Sequence, residues 1–156
     1  MEPDKKFLKR TIELAKESVK QGGFPAGALI VKDGKIIAEG ISIGWVIYDP
    51  TAHAESVVIR KACKKLKTTN LQGVVLYESL QCCLMCFSAV NWAGISKIVY
   101  ACRKTPELVS KNYYEGTTNN EKVNLENNKQ IELLFIPDYE KESLAVVNEW
   151  EKKFVK

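Results

Sequence analysis

The chain has 156 residues, 46% of them hydrophobic and 27% charged, a composition ordinary for a folded water-soluble domain and long enough to bury a core. No apolar run could span a bilayer, and the opening Met-Glu-Pro-Asp-Lys-Lys lacks the apolar stretch of a secretion signal, so no membrane partner and a cytoplasmic location are expected. The formal net charge of +4 comes almost wholly from lysines, with arginine only at positions 10, 60 and 103, which argues against nucleic acid as a partner. Five cysteines, an odd count, fit reduced thiols and metal better than a disulfide framework.

Taken in order, Phe7, Leu8, Ile12, Leu14, Ala15 and Val19 recur at helical spacing and predict an amphipathic helix from about Asp4 to Gln21. Gly22-Gly23 stops it. Leu29-Ile30-Val31 reads as a short strand, Asp33-Gly34 as a hairpin turn, and Lys35 to Ile41 as the returning strand. Ser42 to Tyr48 has no clean period and is expected to be a loop. Asp49 then caps a helix with Pro50 at its first position, running to about Leu66.

Val74 to Tyr77 predicts a buried strand, Cys82 or Cys83 starts a helix reaching about Ala93, and Lys97 to Ala101 forms another strand. The β-α-β crossings predict neighbouring parallel strands. Residues 103–128 turn polar and Asn-rich and are expected to be a loop insertion. Residues 129–156 close the chain with a fifth strand, Gln130 to Ile136, and a helix whose buried stripe is Leu144, Val147, Trp150 and Phe154. The expectation is one domain over residues 1–156, an α/β three-layer α/β/α sandwich around a mixed five-stranded sheet.

The chemistry concentrates in two places. His53, the only histidine, has Glu55 two residues on, and Cys83 and Cys86 stand one helical turn apart. An imidazole and two thiolates give zinc three protein ligands and leave one position for water, with a glutamate available to carry protons. The pair of half-motifs follows the H-x-E and P-C-x-x-C signature of zinc deaminases, with Cys82 in the place of the proline. Two other readings stay open. Cys83 and Cys86 could be a redox dithiol, which leaves His-Ala-Glu without a purpose. Cys82 could be a fourth ligand to a structural zinc.

With these motifs the chain resembles the cytidine deaminase-like zinc deaminases, and among them the small nucleobase deaminases typified by bacterial guanine deaminases. The resemblance runs from about Phe7 to Cys102. It rests on Pro25 to Ala28, Val31 to Gly34, Asp49 to Glu55, Ile59 to Cys63, and Cys83 to Cys86 with Asn91-Trp92-Ala93. It implies one Zn2+ per chain on His53, Cys83 and Cys86, Glu55 as the catalytic proton shuttle, and a homodimer. The implied activity is hydrolytic deamination of a nucleobase-like small molecule, guanine- or cytosine-type. Ala26, Ser42, Ala54, Trp92, Tyr113 and Tyr114 are the candidate substrate-binding positions, Trp92 being expected chiefly in the core. Guanine deaminases carry Phe and Asn where this chain has Ala26 and Ser42, and Glu-Pro where it has Gln81-Cys82. The ending after Cys102 is more like cytosine and tRNA adenosine deaminases. A tRNA adenosine deaminase and a non-catalytic zinc protein are therefore the alternatives.

Overall fold

The computed structural model describes residue 3 and residues 5–155; Met1, Glu2, Asp4 and Lys156, and with them the expected helix start at Asp4, lie outside. Helix α1 (Lys5–Lys20) leads into strands β1 (Gly27–Lys32) and β2 (Lys35–Ile41), then helices α2 (Gly44–Ile47) and α3 (Ala54–Leu66). Strand β3 (Val75–Glu78), helix α4 (Leu84–Trp92) and strand β4 (Lys97–Tyr100) follow. Two short helices, α5 (Pro106–Ser110) and α6 (Asn120–Glu126), precede strand β5 (Glu132–Phe135), a 3₁₀ turn (Pro137–Tyr139) and helix α7 (Glu140–Phe154).

The sheet order is β2-β1-β3-β4-β5, antiparallel from β2 through β1 to β3 and parallel from β3 through β4 to β5. It is the mixed five-stranded sheet expected. The β3-α4-β4 crossing joins neighbours, whereas the crossing through α3 does not, because β1 lies between β2 and β3. Alternate residues serve opposite faces, as the strand pleat requires. Ala28, Ile30, Leu76 and Ile98 pack with Val58, Phe87 and Val90 of α3 and α4. Leu29, Val31, Tyr77 and Val99 pack with Phe7, Leu8 and Leu14 of α1. Helix α7 joins α1 on that second side, completing the three layers.

Two glycines set how closely the helices approach. A Cβ at Gly27 would lie 2.4 Å from the Thr11 carbonyl of α1, and one at Gly40 would lie 2.5 Å from the Ala54 carbonyl of α3. Only glycine lets the first turn of α3 sit flat on β2, and that contact fixes where residues 53–55 stand.

Local signals misplace three boundaries. Ser42 to Tyr48 is not all loop, since α2 occupies Gly44–Ile47. Helix α3 starts at Ala54, not after Asp49, because the Asp49 carboxylate is engaged locally: its Oδ1 accepts the Thr51 N–H at 2.8 Å and the Thr51 hydroxyl at 2.6 Å. Asp49-Pro50-Thr51 is thus an Asx-type turn rather than a helix cap. The polar 103–128 stretch holds α5 and α6, capped by Thr105 and Asn119 through their side chains. Phe154, at the end of the expected buried stripe, is 62% exposed. No helix among the described residues is long and apolar enough to cross a membrane.

Candidate metal and active site

His53 and Cys83 occupy matching places. Each is the N-cap of its helix, α3 or α4, with an extended backbone (φ −72°, ψ 162° and φ −71°, ψ 172°), and neither uses its side chain to cap. The side chains turn toward one another, so that Nδ1 of His53 lies 3.5 Å from Sγ of Cys83. The ligand atoms of His53, Cys83 and Cys86 all fall within 4.8 Å of one another. Zinc bonds of about 2.0–2.3 Å in a tetrahedron place donor atoms roughly 3.3–3.8 Å apart, so this cluster fits zinc with little closure. Cys82 is not part of the cluster: its thiol is buried and has the Asn120 amide 3.6 Å away. With three donors gathered and the fourth thiol held apart, the arrangement is that of an open site rather than a closed structural one.

Both helix N-termini aim their partial positive charge at the cluster. The Cys86 thiol and the His53 ring, against the opposing effect of burial, lower the Cys83 thiol to about 5, so a thiolate is ready for metal. The bond to Cys83 in turn raises His53. Glu55 is 5% exposed. Burial and the nearby Cys83 charge push its carboxyl up to about 7, while the Cys86 thiol hydrogen-bonds to it. A carboxyl poised near neutrality beside the metal ligands can take and give protons.

These groups face a cavity of about 740 Å³. His53, Glu55 and Cys83 line one part of it. Phe24, Trp45, Tyr113 and Trp150 form an aromatic wall, with ring centroids 5.1 Å apart for Phe24 and Tyr113 and 6.0 Å for the stacked Trp45 and Trp150. Four separate segments supply it. Phe24 stands two residues before Ala26, so an aromatic ring reaches the cavity although Ala26 offers none. Ala26, Ser42, Tyr113 and Tyr114 also line the cavity. Ala54 and Trp92 do not. Ala54 is fully buried against Gly40, and Trp92 is 88% exposed because α4 buries Cys86, Phe87 and Val90 while Trp92, two residues past Val90, points away.

The segment after β4 is strapped onto the turn that carries the cysteines. Tyr114 donates its hydroxyl to the Gln81 carbonyl, and Asn120 donates to the Cys82 carbonyl at 2.8 Å. The Glu115 carboxylate accepts the Leu84 and Met85 N–H groups at 3.3 and 3.1 Å, capping α4 in place of Cys83. Phe24, Trp150, Glu78, Glu115 and Asn120 carry no local motif; only the assembled fold brings them here.

Residues 1–102 match the family model of the cytidine and deoxycytidylate deaminase zinc-binding region. Guanine deaminase of Bacillus subtilis (strain 168) is 50% identical over 100 residues, 64% of each chain. A tRNA-specific adenosine deaminase of Aquifex aeolicus (strain VF5) is 40% identical over 95 residues, 61% of this chain and 63% of that protein. The match therefore spans less than two thirds of either relative. A solved guanine deaminase from Bacillus subtilis superposes with a TM-score of 0.67 at 34% identity, covering 99% of this chain and 98% of that one.

Proposed function

The chain belongs to the cytidine and deoxycytidylate deaminase zinc-binding family, and from that premise we propose that it hydrolytically deaminates a small aminated heterocycle, a free nucleobase of the guanine or cytosine type. The observation that carries this reading is Glu55, sequestered from solvent beside His53, Cys83 and Cys86 at a cavity walled by aromatic rings. A closed structural zinc has no use for that carboxylate. A redox dithiol has no use for the histidine facing it.

His53, Cys83 and Cys86 would hold the zinc, which when bound supplies the Lewis acidity that makes water a nucleophile near neutral pH. Glu55 Oε takes a proton as water adds to the amine-bearing ring carbon and passes it to the adjacent ring nitrogen; it then takes the remaining proton of the added hydroxyl and delivers it to the amine, so that the C–N bond breaks, ammonia leaves and a ring carbonyl remains. Phe24, Trp45, Tyr113 and Trp150 present faces on which a planar ring stacks. Ser42, which lines the cavity, offers a hydroxyl to its edge.

The match to the Aquifex tRNA-specific adenosine deaminase favours a second reading, deamination of adenosine in RNA. It requires phosphate contacts and hence affinity that falls steeply with salt. The exposed apolar residues of α2 and its end, Trp45, Val46, Ile47 and Tyr48, support a homodimer, and the free cysteines support a reducing, cytoplasmic setting. The test is ammonia release by zinc-loaded protein from guanine, cytosine, adenine, isocytosine, aminopterins and their nucleosides, and from a tRNA anticodon stem. Turnover of a free base abolished by Glu55→Gln supports the first reading. Turnover of RNA alone replaces it with the second.

A further inference from the structure

The turn before Cys83 is built differently from the P-C-x-x-C signature, in which a proline fixes the backbone one residue ahead of the first thiolate. Here that position is Cys82, which has a backbone N–H that proline lacks and is 2% exposed, so the N–H cannot reach water. Glu78, the last residue of β3, solves this. Its side chain is fully buried, and its Oε1 accepts the Cys82 N–H at 2.9 Å. On the other side of the same peptide unit, buried Asn120 donates to the Cys82 carbonyl at 2.8 Å. A carboxyl group on the core face of a sheet is unusual, and nothing in the proposed chemistry uses it. Its second oxygen, Oε2, has no hydrogen-bond partner, and neither has the Asn120 Oδ1. The interior holds this carboxyl for Cys82, whose backbone N–H and thiol both bond to it.

We propose that Glu78 is a positioning residue for the metal site: by gripping the Cys82 N–H it holds the turn that presents Cys83, the task that a proline's fixed φ performs in the signature. The inference rests on zinc being held by His53, Cys83 and Cys86, and is independent of which substrate is deaminated. Burial raises the Glu78 carboxyl well above the ordinary range, which fits a neutral group that serves as an acceptor without bringing charge. Glutamine keeps that acceptor; methionine keeps the length and removes it.

The test is a cycle of variants of the full chain, with zinc dissociation constants measured by competition against a chromogenic chelator. Cobalt-substituted protein, whose absorption reports the ligand geometry, provides a second readout. Glu78→Met is expected to weaken zinc binding by about 10–100-fold, the usual cost of losing a group that orients a ligand. Glu78→Gln is expected to stay within about threefold of the parent. In the double variant Glu78→Met with Cys82→Pro, which removes the orphaned N–H and restores the rigid residue, affinity and the cobalt spectrum are expected to return. If Glu78→Met fails to fold, the double variant must still fold and bind zinc. Parent-like affinity in Glu78→Met, or losses that merely add in the double variant, overturn the proposal. A parent chain that binds no zinc overturns the metal-site reading itself, and this inference with it.

Discussion

The Nδ1 atom of His53 lies 3.5 Å from the Sγ of Cys83, a residue thirty positions further along the chain. Two N-caps of helices packed on the same face of the sheet hold this contact, and metal binding therefore reports on the fold around it. Zinc that binds only the folded chain stabilises it by mass action, by about 4 kcal/mol at a thousand times its dissociation constant. For a chain this size that corresponds to roughly 10 °C in Tm. Purified protein is expected to hold one zinc per chain and to lose about this much on chelation. His53→Ala should melt like the chelated parent and no longer respond to added zinc. A parent whose Tm is indifferent to chelators would count against the metal centre.

Glu55 is expected to matter for turnover and little for metal. Replacing it by glutamine preserves its volume and hydrogen bonding but removes the proton carrier, so kcat should fall by about 10²–10⁴-fold. Zinc content should stay at one per chain, because Glu55 is outside the ligand set. Steady-state ammonia release and metal analysis of the same sample make the comparison. Equal loss of zinc and activity would recast Glu55 as a structural neighbour of the ligands.

Part of this site was legible in the sequence, for a physical reason. Zinc ligands and the proposed proton carrier need specific side chains at short spacings, so His53, Glu55, Cys83 and Cys86 stand out as local motifs. The strands and long helices follow from apolar periodicity. The start of α3 misleads because Asp49, a good cap by type, spends its carboxylate on Thr51 one turn too early. Trp92 misleads because a large apolar residue is expected inside, and here it is on the outer side of α4. In the aromatic wall, Phe24 and Trp150 are invisible for another reason. Phe24, Trp45, Tyr113 and Trp150 lie in four segments up to the last helix, and only the packed sheet brings their rings together.

That wall predicts a binding phenotype. Phe24→Leu keeps apolar volume and removes the ring that meets Tyr113 and Trp150 edge-on or tilted. Aromatic pairs contribute about 0.5–1.5 kcal/mol beyond their area, so KM is expected to rise by roughly 2–10-fold with kcat within about twofold. Trp150 fluorescence, quenched by a bound ring in the parent, should respond to proportionately higher ligand concentrations. A fall in kcat at constant KM would place Phe24 in the chemistry rather than in the wall.

Glu115 caps α4 from the strap and stands near the cysteines. Although burial pushes its carboxyl up, the bond from its own backbone N–H and then those from Met85 and Leu84 hold it below the usual value. Replacing it by alanine leaves two N–H groups of the first turn without their acceptor, at a cost of about 0.5–2 kcal/mol. Urea titration should show this loss, and hydrogen exchange of the Leu84 and Met85 amides should accelerate more than that of β3. Unchanged amide protection in Glu115→Ala would show that the strap does not order this turn.

Glu78 gives the folded state a distinctive response to pH. Burial, then the Glu55 charge, raises its carboxyl well above 4.5, and Cys82 and Cys83 are the other titratable groups that act on it. A raised carboxyl keeps its proton in the folded chain and loses it in the unfolded chain once pH passes about 4.5. The folded state then binds more protons, and stability falls as pH rises, by at most about 1.4 kcal/mol per pH unit. Below that point the contribution is whole. Glu78→Gln cannot ionise and escapes the loss, so its stability relative to the parent should grow steadily from pH 5 towards pH 8. Urea titrations of both proteins at saturating zinc measure that difference directly. A difference that stays flat with pH, or shrinks, would mean that Glu78 is ionised in the fold and that its charge is balanced by a neighbour.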